Sequence, residues 1–484
     1  MTAPVIVWFR RDLRLQDNPA LDAAAATGKP ILPLFILDRH GPDDLGAAGR
    51  WWLDKSLYAL DGSIQVCGGR LIVREGAEEA ELRRVIQETG ARQVFMNRRF
   101  EPTAFEHDAD IAHGLHSDRV ECTGFNGALF TRPGSVLNGQ GRPYRVFTPF
   151  MKALRPLIGP PTDAPHEATL FADHDLSAQP IEALSLHPRS PDWSTGFDWA
   201  PGEAGAHAAL QHFIANALPG YATNRDRPDR QGVSRLSPYL HWGEISVRRV
   251  AQRVLAAADS DPVLQDQAEK FVSELGWREF SAHLLFQFPT MKAEAFRPEY
   301  DAMPWRDDAE GFAAWSQGRT GYPLIDAGMR QLWRTGWMHN RVRMIVASFL
   351  VKDLMVDWRR GAAWFHDSLV DADTASNIQN WQWVAGSGAD AAPYFRIFNP
   401  VSQGETHDPD GHYVRRWVPE LAPLPNRFIH APWTAPTEIL RQAGISLGHN
   451  YPMPVVDHAK ARRRALEALK SLHPPRIERR IAGP

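Results

Sequence analysis

The first 125 residues alternate short apolar runs with stretches of helical periodicity, and this alternation constrains the fold more than any other feature. Because the runs are apolar at consecutive positions, both faces of each strand must be covered, which is typical of a parallel sheet between two helix layers. The sequence therefore predicts an α/β domain with a Rossmann-like, five-stranded parallel sheet. The predicted strands span residues 5–9, 31–37, 70–73, 93–96 and 119–122.

Proline content separates this domain from the rest of the chain. Eleven of the 38 prolines fall within residues 126–202, and proline interrupts both helices and central strands. The remainder has helical periodicity almost throughout, with amphipathic stretches at 261–288, 324–335 and 337–357. We expect an α/β domain at 1–125, a long interdomain connector at 126–202 and an all-α domain at 203–484.

Charge and cysteine content exclude several classes of protein. The net charge is −3, so nucleic acid would have to bind a local basic patch. Two cysteines, Cys67 and Cys122, cannot build a Cys-rich metal centre and fit a reducing compartment. No apolar run approaches the ~20 residues of a membrane span, and the N-terminus shows no signal or transit peptide. We therefore expect a cytoplasmic protein.

Two further patterns have plain structural explanations. Eight of the 17 tryptophans lie between Trp305 and Trp383, which is consistent with an aromatic helical core. His113 and His116 have the spacing of a metal pair, but without further ligands they predict a surface helix and no metal site. The dinucleotide fingerprint G-x-G-x-x-G is missing after the first strand, which argues against a nucleotide-dependent transferase.

The helical half contains three groups of polar residues at informative spacing. Glu274, Trp277 and Arg278 project from one side of a helix, either as a carboxylate beside an aromatic plane or as a solvated Glu–Arg pair. Gly276 within the same helix indicates close packing. The run 336–344 lies at a helix start that is polar around more than half its circumference. Asp373 reads as the N-cap of a later helix, although acids there can also meet ribose hydroxyls or an arginine.

Six strings identify a family. They are WMHNRVRM, WQWVAGSGADAAPYFRIFNP, TGYPLIDAGMRQL, SELGWREF, SRLSPYLHWGEIS and VWFRRDLRLQDNPAL, and they resemble the DNA photolyase and cryptochrome family over nearly the whole chain. The resemblance implies an N-terminal α/β domain, a connector and a helical domain that holds FAD in a bent form. The chain is most similar to bacterial cyclobutane pyrimidine dimer photolyases.

The resemblance also implies a flavin pocket. This chain has Val233 and Phe271 where relatives often have Thr and Trp. Asn377 would face the flavin N5, as in repair enzymes that keep FADH⁻. The implied flavin-binding residues are Tyr221, Ser234, Leu236, Ser237, Glu274, Arg278, Asn340, Arg343, Asp371, Asp373 and Asn377.

The reaction implied is electron transfer from photoexcited FADH⁻ to a cyclobutane dimer, cleavage of the two linking bonds and return of the electron. Glu274 and Asn340 would meet the pyrimidine edges, and Asn377 would tune the flavin. Trp381, Trp358 and Trp315 would relay electrons from the flavin to the surface. Trp277 and Trp383 would form an apolar wall on which the bases pack, and Met344 would fill the remaining gap. The phosphates would be contacted by Arg225, Arg341 and Arg396.

A few positions decide the branch of the family. Photolyases of the (6-4) type carry a second His at the place of Asn340, so this chain favours cyclobutane dimers. Asn377 and the short C-terminus favour repair over the alternative, a cryptochrome-type photoreceptor without turnover. Lys292 and Glu101 are candidate antenna contacts, which favours methenyltetrahydrofolate over a deazaflavin. The expected partner is UV-damaged DNA, single- or double-stranded, bound by a monomer.

Overall fold

A computed structural model of the chain describes residues 3–161, 171, 176, 178–188, 190–391 and 395–472. Parts of the predicted connector and residues 392–394 of the APYFRIFNP string lie outside the described residues. The chain forms two compact units, each discontinuous in sequence. The first comprises Met1–Pro289, Leu332–Met338 and Phe365–Asn377, and the second comprises Thr290–Gln331, His339–Trp364 and Ile378–Pro484.

The first unit contains one sheet of five parallel strands, in the order β3-β2-β1-β4-β5, which confirms the predicted α/β architecture. The third and fifth strands begin two residues later than predicted, because pairing with a neighbour, such as Leu34 opposite Ile72, sets where a ladder begins. The first two strands are buried along their whole length, so helices cover both faces. The strands are β1 Val5–Phe9, β2 Ile31–Leu37, β3 Ile72–Glu75, β4 Gln93–Asn97 and β5 Glu121–Phe125.

Helices account for most of the remaining structure. After β5 the described residues form helices, turns, loops and isolated bridges, as predicted for the all-α part. The helices up to residue 287 are α1 Pro19–Ala25, α2 Ala47–Val66, α3 Glu78–Thr89, α4 Pro102–Ser117, α5 Phe147–Leu154, α6 Glu203–His212, α7 Tyr221–Asn224, α8 Ser237–His241, α9 Val247–Ser260 and α10 Gln265–Gln287.

The later helices range from six to 15 residues in length. They are α11 Ala309–Ser316, α12 Pro323–Thr335, α13 Asn340–Ser348, α14 Trp358–Ser368, α15 Thr374–Ala385, α16 Pro400–His407, α17 His412–Trp417, α18 Thr437–Gln442 and α19 His458–Leu472. Within the described part of the chain, no helix is both long and apolar enough to span a membrane.

One predicted helix, at 337–357, differs from the observed structure. α13 begins only at Asn340, where the ring nitrogen Nδ1 of His339 accepts the N–H of Arg341 at 3.2 Å. After α13 the chain continues as a π-helix, Phe349–Leu354, and ends at Met355 with a φ of 56°. Sequence periodicity near 3.6 does not distinguish such an insertion from a continuous α-helix.

The Pro-rich segment is more than a connector. α5 lies within it and buries Phe147, Phe150 and Leu154. A Cβ on Gly276 of α10 would overlap the sulfur of Met151, so α5 packs directly against α10. This contact confirms the close packing predicted at Gly276.

A buried carboxyl joins separate parts of the first unit. Glu244 follows α8 and has no exposed surface. Its Oε1 accepts the indole N–H of Trp52 at 3.1 Å, the Gly202 N–H at 2.6 Å and the Ser56 hydroxyl. Burial raises the pKa of Glu244 to about 8, although the hydrogen bonds oppose the shift. The carboxyl is therefore protonated over much of the neutral range.

We expect Glu244→Ala to destabilise the protein by about 3 kcal/mol, because three donors lose their acceptor. Glu244→Gln keeps an acceptor oxygen and should cost about 1 kcal/mol or less. Because the pKa of Glu244 is raised in the folded protein, its contribution to the free energy of unfolding is complete below the unfolded-state pKa of 4.5. This contribution is lost as the pH rises through about 8. Urea unfolding at pH 6 and pH 9 measures this, and Glu244→Gln should lack the alkaline loss. The same pH dependence in wild type and Glu244→Gln would contradict it.

Candidate functional site

The predicted flavin residues fall in both units. Nine belong to the first unit, and Asn340 and Arg343 belong to the second. Within the first unit Tyr221 is buried on α7, and Ser234 and Leu236 lie in the loop that leads to α8.

Two serine hydroxyls flank the loop before α8. The Oγ of Ser234 accepts the N–H of Leu236 at 3.3 Å, and the Oγ of Ser237 accepts the indole N–H of Trp337 at 3.3 Å. A hydroxyl that accepts one bond still has its own O–H to donate. Both serines can therefore donate to an anionic oxygen, which fits the diphosphate of a flavin dinucleotide.

Arg235 holds this loop in an unusual conformation. Its φ is +53°, in the left-handed region that residues other than glycine seldom adopt. The guanidinium lies 4.1 Å from the ring centre of Trp199 and 5.5 Å from that of Trp337. These cation–π contacts stabilise the loop conformation that places the two serines.

The acidic turn before α15 acts as a helix cap. Asp373 Oδ1 accepts the N–H of Ser376 at 2.7 Å, which confirms the predicted N-cap. Asp373 N–H donates to the Asp371 carbonyl at 2.7 Å, and Asn377 N–H donates to the Asp373 carbonyl at 2.8 Å. One turn of chain therefore brings together three predicted flavin residues.

Asp373 is also charged. Burial would raise its pKa, but the charge of Arg278 and the hydrogen bonds from Ser376 outweigh it, so the pKa is lowered. Within the described part of the chain, Arg278 contacts no carboxylate. It donates to the carbonyls of Ala128 at 2.9 Å and Leu240 at 3.2 Å. Main-chain acceptors thus hold the guanidinium in place without cancelling its charge.

Glu274 forms an ion pair with Arg225. The alternative of a solvated Glu274–Arg278 pair is therefore wrong, because Arg278 is held by carbonyl groups. Burial opposes the charge of Arg225, but Glu274 outweighs it and the pKa of Arg225 is raised. The Arg225 guanidinium also lies 5.7 Å from the ring centre of Tyr221. The structure thus brings together Arg225, Glu274 and Tyr221, which are predicted to contact the substrate, the flavin or both.

Trp277 has one face covered by protein. Its ring stacks on Phe147 with centroids 3.7 Å apart and planes inclined by 9°. Phe280 meets the indole edge-on at 5.9 Å. Trp277 is half-buried, so a ligand base could use only the face away from Phe147.

In the second unit, α13 presents a run of predicted substrate and flavin contacts. Asn340 is exposed, and Arg341, Arg343 and Met344 are half-buried. The Arg341 guanidinium lies 3.9 Å from the sulfur of Met344. The helix therefore places an amide, two cations and a thioether within about one turn.

Trp383 and Arg396 complete the predicted substrate contacts of the second unit. Trp383 is half-buried on α15, and its indole N–H donates to the Asp390 carbonyl at 3.1 Å. Arg396 is exposed.

The predicted tryptophan relay needs one correction. Trp381 and Trp358 are each 2% exposed and Trp315 is 0% exposed, so Trp315 cannot be the surface end. Trp315 instead packs against Trp381, with ring centroids 6.2 Å apart, and donates to the Val346 carbonyl at 2.9 Å. A match to flanking motifs identifies a position in the sequence, whereas burial depends on packing around α11.

Sequence reasoning missed a cavity in the first unit. Asp12, just after β1, and Asn97, at the end of β4, lie in its wall, at the place where the strand order reverses. Ligands of open parallel sheets bind beyond the carboxyl ends of the strands, where the strand order reverses, and this rule could have predicted the cavity from the sequence. The wall also contains Arg11, Asp43, Arg98, Arg99, Phe100, Glu101, Ala128, Leu129, Leu240, His241, Arg278, Ala282, Leu285, Asp373 and Ala375.

Charges in this cavity are mostly paired. Arg11 binds Glu101 at 2.8 Å and Asp43 at 2.9 Å. Burial, with the charge of Arg11, lowers the pKa of His241 to about 3, so its imidazole is neutral. Of the two antenna candidates, Glu101 lies in the cavity wall, and Lys292 is exposed in the second unit. Among the described residues no cluster of His, Cys, Asp or Glu could hold a metal ion.

Comparison with known proteins gives full-length matches. One family model, described as the FAD binding domain of DNA photolyase, matches residues 271–471, and another, described as DNA photolyase, matches residues 5–166. The chain is 49% identical over 472 residues to a deoxyribodipyrimidine photo-lyase of Agrobacterium fabrum, covering 96% of this chain and 98% of the relative. It is 38% identical to cryptochrome-1 of Arabidopsis thaliana, covering 96% of this chain and 70% of the relative.

Solved structures agree with these matches. The crystal structure of a bacterial class III photolyase from Agrobacterium tumefaciens superposes with a TM-score of 0.94 at 48% identity, covering 98% of both chains. A cryptochrome of Synechocystis superposes with a TM-score of 0.86 at 30% identity, covering 96% of this chain and 99% of the other. With both family models matched and these identities over nearly the whole length, the chain belongs to the DNA photolyase and cryptochrome family.

Proposed function

We propose that this chain is a deoxyribodipyrimidine photo-lyase, which uses blue light to repair cyclobutane pyrimidine dimers in DNA. The observation that carries the proposal is the 49% identity, over almost the entire length of both chains, to a protein of that name. The cryptochrome relatives are more distant, at 38% identity. We also propose the domain boundaries expected above, at residues 125 and 203.

FAD is the cofactor, since the family's FAD binding domain covers residues 271–471. When bound in its reduced form, FAD supplies the light-driven electron that starts dimer cleavage. Ser234 and Ser237 donate to its diphosphate, and Asp371 and Asp373 accept from its ribose hydroxyls. The charge of Arg278 favours the anionic groups. The remaining contacts of the proposal are Tyr221, Leu236, Glu274, Asn340, Arg343 and Asn377.

The residues of the chain hold the dimer and stabilise the charge that develops on it. Glu274 and Asn340 hydrogen-bond the pyrimidine edges, which favours the transition state through fixed, preorganised groups. Trp277 offers its uncovered face to the extruded bases, and Trp383 and Met344 complete the apolar wall. In the free protein Glu274 is paired with Arg225, so DNA binding must share or exchange that contact.

Phosphates are bound by cations around the pocket mouth. Arg225, Arg341 and Arg396 are assigned to them, and binding should weaken as salt rises. We propose that the protein acts as a monomer, in the cytoplasm, on single- or double-stranded DNA.

Asn377 would act on the flavin N5 and Asn340 on the lesion. An amide at position 340, where the (6-4) type needs a proton donor, supports the cyclobutane substrate. Trp381, Trp358 and Trp315 would carry an electron inward to reduce the flavin, entering from a surface group other than the buried Trp315.

For the antenna we propose methenyltetrahydrofolate, with Lys292 and Glu101 as contacts and a deazaflavin as the alternative. Glu101 supports this because it lies in the wall of the cavity in the first unit. An absorption spectrum of the purified protein distinguishes a folate from a deazaflavin.

We expect the purified protein to restore the absorbance of dimer-containing DNA under blue light and to leave it unchanged in the dark. The reason is that cleavage regenerates two intact pyrimidine rings. A photoreceptor without turnover would leave the dimers in place under both conditions, and that result would contradict the proposal.

Glu274→Ala should lower the repair rate on the order of tenfold, because an acceptor for the lesion is lost and Arg225 is left without this partner. Bound flavin, measured by absorbance, should fall much less. Glu269→Ala on the same helix is the control, since Glu269 pairs with Arg155 at the surface. Loss of flavin in proportion to repair would instead make Glu274 a structural residue.

Trp381→Phe should abolish most photoreduction of oxidised flavin, because phenylalanine is not oxidised as indole is. Repair by chemically reduced enzyme should be retained. Trp333→Phe is the control, as Trp333 is 65% exposed and lies outside the relay. Photoreduction at the wild-type rate in Trp381→Phe would remove Trp381 from the relay.

A further inference from the structure

The buried amine of Lys352 contacts the segment that carries Arg396. Lys352 is 1% exposed. Its Nζ donates to the Arg396 carbonyl at 2.9 Å and lies 3.7 Å from the ring centre of Phe395. Burial lowers the pKa of Lys352 to about 7, with the charge of Asp353 opposing the shift. An amine buried in this way is costly unless it is well bonded, so its two contacts are structurally important.

A second bond joins the same two stretches of chain. The Phe398 N–H donates to the hydroxyl of Ser348 at 3.3 Å, and Ser348 is fully buried. Phe395 also packs against the cluster that contains Met303 and Met355. Residues 395–398 are therefore anchored at two points to the stretch from α13 through the π-helix.

This stretch carries other predicted DNA contacts. Asn340, Arg341 and Met344 lie on α13, and the π-helix Phe349–Leu354 continues directly from it. Arg396 is exposed, so its side chain can reach a phosphate while Lys352 holds its carbonyl group. A fixed backbone reduces the conformational entropy that a long side chain loses on binding.

We infer that Lys352 is a positioning residue for DNA binding, which places the Arg396 guanidinium against a phosphate by holding the Arg396 carbonyl and the Phe395 ring. The inference rests on the proposed function and deepens it. Lys352 is itself buried, so it acts through Arg396 and contributes no phosphate contact.

The test uses full-length, FAD-loaded protein and fluorescent oligonucleotides with and without one cyclobutane dimer. Lys352→Met removes the ammonium and keeps the length of the side chain. We expect about tenfold weaker binding and a salt slope lower by about 1, as for Arg396→Ala, because one phosphate contact is lost in each. On the Arg396→Ala background, Lys352→Met should weaken binding by less than twofold. Flavin content should be unchanged.

Two variants accompany it. Lys460→Met makes the same substitution at an exposed position on α19 and should bind as the wild type does. Phe395→Leu removes the cation–π contact, keeps an apolar side chain against the Met303 and Met355 cluster, and should weaken binding about threefold. This variant keeps the test available if Lys352→Met folds poorly.

The inference would be overturned if Lys352→Met or Phe395→Leu bound DNA with the affinity and salt slope of the wild type. It would also be overturned if Lys352→Met lost the same amount of affinity on the wild-type and Arg396→Ala backgrounds. Equal binding of dimer-containing and undamaged strands by the wild type would instead contradict the proposed function. The non-additive effect of the Lys352 and Arg396 substitutions on binding would still be measured with either oligonucleotide, because both contain the phosphate that Arg396 contacts.

Discussion

The contact between α5 and α10 at Gly276 is the constraint on which the candidate site of the first unit depends. Any side chain at position 276 would overlap Met151, so α5 lies directly on α10 and brings Phe147 flat onto Trp277. On the same helix, the buried Glu279 accepts two N–H groups of the Pro-rich segment, at 2.8 and 3.0 Å. α10 therefore packs closely against α5, orients an indole and organises part of a segment whose proline content predicts irregular structure.

Electrostatics in the first unit follow from how each buried charge is satisfied. Arg278 is bonded to two carbonyls, so its charge remains to stabilise the carboxylate of Asp373. His241 stays neutral because burial and the charge of Arg11 disfavour protonation. Charges and dipoles are thus set before any ligand arrives, which is the arrangement that favours anionic groups without reorganisation.

In the second unit, the π-helix has a comparable role. It continues α13 beyond Ser348 and ends at the left-handed Met355, which places Lys352 and Asp353 in the interior. Asp353 is bonded there to His458 at 2.5 Å, and Lys352 to the Arg396 carbonyl. Such insertions often occur at functional sites, where they redirect side chains that a regular helix would place elsewhere.

The sequence by itself determined the parallel sheet, the helical remainder, the cap at Asp373 and the tight packing at Gly276, because each depends on local periodicity or on the chemistry of one residue. Its motifs also determined the family. Only the tertiary structure decided that Glu274 pairs with Arg225, 49 residues away, and that Trp315 is buried. Pairing and burial depend on which distant residues the fold brings together, and neither periodicity nor a motif match contains that information.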